Sequence, residues 1–211
     1  MNTIIKTIND RGGIVVDAFK HVLEFNTSLY APYHNMDHLL WVTQKCYEGA
    51  LYENLDSRQT DKLLVAALFH DFNHTMGESS DDVNIKFAVN GFRDFFMDVL
   101  KSTDGEFMGD VVDIIRATEY PYVISEDILT IEQKIIRDAD LMQAISDNWF
   151  GMIMLGLSKE AKGAPLNAVV EGNIKFHKGV KMITEWGQRI YEIHWPDLFK
   201  NMEALQNMYK K

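Results

Sequence analysis

Three features of this 211-residue sequence predict an all-α fold. Apolar residues recur at helical spacing over most of its length, only four Pro interrupt it, and no stretch reads convincingly as a strand. About nine helices are expected, in one domain spanning residues 1–211. Its motif-bearing core runs from about 30 to 145, and the helices of 147–211 complete a pocket.

The elements follow in order. After Gly12-Gly13, residues Ile14–Leu29 are amphipathic, with Val15, Ala18, Phe19, Val22 and Leu23 on one side. Thr27–Pro32 is a break, and Met36 to Tyr52 is helical again. Asn54–Ser57 is a turn, where Asp56 and Gln59 have the spacing of a helix-start box. On the helix that follows, Leu63, Ala66, Ala67, His70, Asp71 and His74 fall within an arc of roughly 140° at about 100° per residue. Its face changes from apolar to ligand-bearing at the C-terminal end. After the loop Thr75–Ser80, a helix from Asp81 to Leu100 has Ile85, Ala88, Val89, Phe92, Phe95, Phe96 and Val99 as its core face.

Thr103 and Glu106 form a second box, opening a helix to about Thr118 that Tyr120-Pro121-Tyr122 ends. Ser125 caps the next helix, striped by Ile128, Ile131, Ile135, Ala139 and Met142. Another helix starts near Asp147. Lys159–Pro165 is a turn, with Pro165 as the first helical residue of the next segment. Leu166–Ile193 and Asp197–Tyr209 are the last helices, separated by Trp195-Pro196, and Lys210-Lys211 is a solvated tail.

The net charge of −10 argues against a nucleic-acid polymer as partner, since that partner calls for a basic surface. A phosphate substrate would need a local positive centre. Cys46 is the single cysteine, which excludes an internal disulfide framework and suits a reducing compartment. Met1–Gly13 lacks the apolar run of a secretory signal, and Trp149–Leu157 is about half the length of a spanning helix. A cytoplasmic protein without a membrane partner is expected.

Four of the seven His lie in two short stretches, Tyr33-His34-Asn35-Met36-Asp37-His38 and His70-Asp71-Phe72-Asn73-His74. Imidazoles at i, i+4 with an adjoining carboxylate are what a buried divalent metal needs. The mixture suits Mn, Zn, Fe or Mg. The residues suggest His38, then His70-Asp71, then a distant Asp. Asp138 and Asp140 both qualify; lying about 200° apart on a helix, they cannot both serve one centre, and periodicity does not choose between them.

The order His…His-Asp…Asp on helices resembles the HD-domain superfamily of metal-dependent phosphohydrolases. The Tyr-His-Asn-x-x-His and His-Asp-x-x-His stretches are most similar to its cyclic-nucleotide phosphodiesterase branch. The resemblance covers about residues 30 to 145. It implies one or two divalent metals, with His38, His70, Asp71 and Asp140 as ligands of the first and Asp71 bridging to the second. It implies His34 as the general acid and His74 as a second-metal ligand or a support behind the ligands. Asn35, Tyr33 and Gln188, with Trp186 or Tyr191 stacking beside Gln188, are candidates for substrate binding. Asn35 would alternatively cap a helix. The implied reaction is hydrolysis of a nucleotide phosphate ester by metal-bound hydroxide, with His34 protonating the leaving oxygen. A nucleoside monophosphatase shares these residues. A diiron oxygenase and a non-catalytic nucleotide-binding module are the readings from other classes.

Overall fold

The structure, a computed structural model, describes residues 2–161 and 164–209, and every regular element among them is helical. The helices are α1 (Asn2–Arg11), α2 (Gly13–Phe25), α3 (Met36–Tyr52), α4 (Ser57–Phe69), α5 (Asp81–Asp94), α6 (Gly105–Arg116), α7 (Ile131–Leu141), the single turn α8 (Ser158–Glu160), α9 (Leu166–Gly179) and α10 (Glu185–Tyr209). The all-α expectation holds, and no helix is long and apolar enough to cross a membrane. Lys162, Gly163, Lys210 and Lys211 lie outside the described residues, so the solvated tail and part of the 159–165 turn do too.

The centre of the fold is α4, which packs against α2, α3 and α6. From Leu63 to Phe69 it is apolar all round, so it is stable only when covered all round, and each of those residues is 0% exposed. Phe69 joins Phe92 and Phe95 at ring separations of 5.6 and 5.4 Å, which closes the core below α5. At the start of α4 the expected box is present. Asp56 accepts from the Gln59 backbone N–H, and the Gln59 side chain accepts from the Asp56 N–H.

Several boundaries differ from the sequence reading, each for a local reason. Leu23 is 44% exposed, because the buried stripe of α2 is Val15, Ala18 and Val22. Val99 is 56% exposed, since the chain widens into π-helical turns over Phe95–Val99 and the 3.6-residue phase is lost. The cap of α6 is Asp104, which accepts from Phe107 N–H at 3.0 Å, in place of Thr103. Ser125 precedes only a short 3-10 turn, Glu126–Ile128, and Ile128 is exposed. The α7 helix begins at Ile131 under a reciprocal Thr130–Gln133 box. The segment expected from Asp147 is a π-helical run, Phe150–Leu157, that leads into α8. Pro165 stands at the cap of α9, one place before its first helical residue.

The last break also moves. The helix α10 runs through Pro196, and the chain interrupts earlier, between Gly179 and Glu185. Asp138 supplies the reason. Its fully buried carboxylate accepts from Ile183 N–H, Thr184 N–H and the Thr184 hydroxyl at 2.7–2.9 Å, and so holds the start of α10 against α7. Burial pushes this carboxyl up to about 6, even with those donors.

Candidate metal centre and adjoining cavity

Two elements carry the histidine stretches to one place. On α3, Asn35 is the N-cap: its side-chain oxygen accepts from Asp37 and His38 N–H at 2.9 and 3.1 Å, and its amide donates to Ala31 O. The capping alternative for Asn35 is therefore satisfied in the geometry, and it leaves His38 one turn into the core. The helix α4 stops at Phe69, so His70, Asp71 and His74 are not on a continuous helical face as the 140° arc supposes. They occupy a tight turn closed by Phe72 N–H to Phe69 O and His74 N–H to Asp71 O. Asn73 takes the left-handed region at φ 58°, which Asn tolerates. A pair of asparagines ties this turn to the end of α2. Asn26 Oδ1 accepts from Asn73 N–H, and Asn73 Oδ1 accepts from Thr27 N–H, both at 2.9 Å.

Both ligand imidazoles are oriented through Nδ1. His38 Nδ1–H donates to Gln143 Oε1 at 2.5 Å, and His70 Nδ1–H donates to the Ala67 carbonyl at 2.8 Å. This places both Nε2 lone pairs face to face, 3.4 Å apart. Asp71 Oδ2 lies 3.1 Å from each of them, and Asp140 Oδ1 arrives from α7 at 3.2 Å from His38 Nε2 and 3.9 Å from His70 Nε2. Asp71 Oδ2 is enclosed and has no hydrogen-bond donor of its own. Four electron-rich atoms at this spacing need a positive charge between them. A tetrahedral ion bound at about 2.0–2.1 Å sets its ligands about 3.3 Å apart, so the residues fit a divalent metal held by two imidazoles and two carboxylates.

Electrostatics point the same way. Burial pulls the His38 imidazole down, but the adjoining Asp140 and Asp71 carboxylates outweigh it and hold it up at about 10, so that a proton on Nε2 takes the place of the positive charge when no metal is bound. Asp71 is driven well below the usual carboxylate range by His70 and His34, against the effect of burial. The site strongly favours positive charge. His38 and His70 are sealed, whereas Asp71 and Asp140 are 18% and 28% exposed, so the centre opens on its carboxylate side. The two candidates for the distant ligand are thus separated by the tertiary structure, with Asp140 at the centre and Asp138 facing α10. Asp138 caps that helix.

His34 stands beside the centre, held by Glu160. Glu160 Oε2 accepts from His34 Nδ1–H at 2.5 Å, while Oε1 accepts from Tyr33 and His34 backbone N–H at 2.7 and 3.1 Å. Burial pushes the Glu160 carboxyl up, but the His34 hydrogen bond reverses this and keeps it below the ordinary range. Two glycines let Glu160 come so close: a Cβ on Gly156 would meet Pro32 O, and one on Gly77 would meet Glu160 O.

His74 stacks on His34 with 3.6 Å between ring centroids. Its Nδ1 accepts from Met76 N–H at 3.1 Å, and its Nε2 lies 3.0 Å from the Asn84 amide. Burial and the neighbouring His34 lower it to about 4. His74 thus stacks on His34, one of its ring nitrogens being taken up by a local hydrogen bond. His34, His74 and Glu160 are also close enough together to form a second ligand group, with His34 and Glu160 joined by their hydrogen bond.

A cavity of about 470 Å³ opens from Asp140 and His34. Tyr33, Tyr120, Tyr122, Phe176 and Asn173 line it, together with small apolar residues of the segments after 147. Gln188 is not among them; it is exposed and donates to Met182 O at 3.1 Å. Trp186 is buried in the core, and the Tyr191 hydroxyl donates to His177 O. The expected base-reading trio therefore lies away from this cavity. Glu160, Gln143 and Asn173 were not legible as site residues. Glu160 sits in a stretch that reads as a turn, and no local spacing connects it to His34 across 126 positions.

No family model matches the chain, and no curated protein does. A crystal structure of the Lin1889 protein from Listeria innocua is similar in fold, with a TM-score of 0.59 over 92% of this chain and 97% of that one, at 21% identity. At this identity the likeness concerns the fold alone.

Proposed function

We propose that the chain is an HD-type, metal-dependent phosphohydrolase that cleaves a nucleotide phosphate ester. The observation that carries the reading is the convergence of His38, His70, Asp71 and Asp140 on one point, beside a Glu160-braced His34 and at the mouth of a cavity large enough for a nucleotide. A divalent metal in this site supplies an acidified water and a counter-charge for the phosphoryl oxygens.

The remaining work belongs to the chain. Gln143 and the Ala67 carbonyl keep each Nδ1 protonated, so that each Nε2 presents its lone pair inward. The exposed edges of Asp71 and Asp140 leave the phosphate side open. His34 uses Nδ1 on Glu160, which leaves Nε2 to deliver a proton to the departing oxygen, a role that contributes about 10²–10⁴-fold. Tyr120, Tyr122 and Phe176 offer aromatic surface to the alcohol part of the ester. A nucleoside monophosphatase is the second reading, favoured by the position of Gln188 outside the cavity.

The test combines elemental analysis with a panel of cyclic and linear nucleotides, assayed with Mn²⁺ or Mg²⁺. About one metal per chain and turnover of at least one ester are expected. His38→Ala should lose the metal, and His34→Ala should keep it while losing activity. A wild-type protein that turns over no ester with either metal overturns the reading.

A further inference from the structure

The cavity beside the metal centre does not end at its aromatic wall. Tyr120, Tyr122, Leu141, Gly172 and Phe176 also line a second groove of about 620 Å³, so the two voids adjoin along α9. The far side of that groove carries Arg137, Lys175 and Lys181 against a single carboxylate, Glu126. In a chain of net charge −10 this is a local reversal of sign.

Arg137 is the telling residue. It is 2% exposed, yet no carboxylate lies within ion-pair reach of it among the described residues. Its Nε donates to Ala117 O at 2.5 Å, one terminal nitrogen donates to Ile124 O at 3.0 Å, and the guanidinium lies 4.2 Å from the centre of the Tyr122 ring. The other terminal nitrogen has no hydrogen-bond acceptor among the described residues, and Arg137 lines the groove. A buried guanidinium without a counter-charge is costly, and an anion in the groove would supply one. Lys175 is exposed without an ion-pair partner among the described residues, and Lys181 reaches Glu126 only at 3.6 Å.

The spacing joins this groove to the metal. Arg137 and Asp140 are three residues apart on α7, on one face and about 4.5 Å apart along the axis. The guanidinium and the metal ligand thus open from adjacent turns into adjoining voids.

We infer that the two voids form one bipartite substrate site. In this reading, which rests on the phosphohydrolase proposal above, the substrate is a phosphate ester whose alcohol part carries a second anionic group. The scissile phosphate lies at the metal centre, the middle of the molecule crosses the aromatic junction, and the second anion sits on Arg137, Lys175 and Lys181.

Gly172 provides a clean test of the junction. It lines both voids, and a Cβ built there meets nothing within 4 Å. A Leu at this helical position starts from an unobstructed Cβ, adds bulk at the junction and favours the helix. Arg137 itself is a poor target, since it also ties Ala117 to Ile124.

The probes are adenosine 3′,5′-bisphosphate, adenosine 5′-monophosphate and adenosine 3′-monophosphate. Binding to the full chain is measured by calorimetry at low salt with Ca²⁺ present, and turnover is then measured with Mn²⁺. The bisphosphate should bind about tenfold or more tightly than either monophosphate, as expected when a second anion meets two or three cations. That preference should fall to within about twofold in Lys175→Ala/Lys181→Ala. Gly172→Leu should abolish bisphosphate binding while its circular dichroism matches wild type. Equal affinity for the three ligands, or a preference that survives both variants, overturns the bipartite site. Absence of turnover for every ester overturns the phosphohydrolase reading, whereas turnover with equal affinities overturns the bipartite site alone.

Discussion

At the scale of single residues, the proposed chemistry depends on side chains held in place by one neighbour. Glu160 is a positioning residue for His34, since it fixes the Nδ1 proton and the backbone of residues 33 and 34 together. Glu160→Gln keeps the size but removes the carboxylate that accepts from His34 Nδ1–H. In that variant kcat should fall about 100-fold, with KM changed less than twofold and metal content unchanged. A fall in metal content would show instead that Glu160 supports the centre. His177 gives a pH signature far from the ligands. It is 3% exposed, burial lowers it to about 4 against an opposing contact with the Ala144 backbone, and neither ring nitrogen makes a well-formed hydrogen bond among the described residues. The unfolded chain takes up this proton near pH 6.5 and the folded chain only near 4, so stability falls as pH drops through that window. Relative to His177→Gln, wild type should lose up to about 3 kcal/mol between pH 7 and 4, measured by urea unfolding. A difference that stays constant with pH would refute the assignment.

At the scale of elements, helix starts were the most legible features, because capping is a contact between near neighbours in sequence. Asp56 and Gln59 close the box at the head of α4, the helix on which the core is built. Asp56→Ala should cost about 1 kcal/mol and lower Tm by about 2–4 °C, without altering metal binding, since the ligands lie at the other end of that helix. Helix ends were less legible. The stop at Phe69 depends on Asn26 and Asn73, which join segments 47 residues apart. The early break before α10 depends on Asp138, whose partners Ile183 and Thr184 are some 45 residues downstream. A periodicity argument sees neither, so it extends α4 through His74 and α9 through Ile193.

At the scale of the whole molecule, the segments after residue 147 form much of the cavity wall, and the buried Asp138–Thr184 contact holds them to the core. Thr184→Val removes one donor from that carboxylate and leaves it less satisfied, a change that costs about 1–3 kcal/mol. Amide exchange should then quicken in α9 and α10 while α3 and α4 keep their protection. Uniform acceleration would mean that the two regions unfold as one unit.

The sequence by itself determined the all-α class, several helix starts, the apolar face of α4 and the His38, His70 and Asp71 cluster as candidates for a metal centre. Each of these rests on local spacing or on the chemical type of a side chain. Periodicity left Asp138 and Asp140 open and the resemblance pointed to Asp140, but the role of Asp138 as a cap needed the tertiary structure, because two residues on opposite faces of one helix differ only in what packs against each face. The same holds for the bracing of His34 by Glu160, the stacking of His74 away from the ligands, and the cavity formed without Gln188. These are contacts between distant segments, set by how the last third of the chain packs, and no periodicity in the sequence records them.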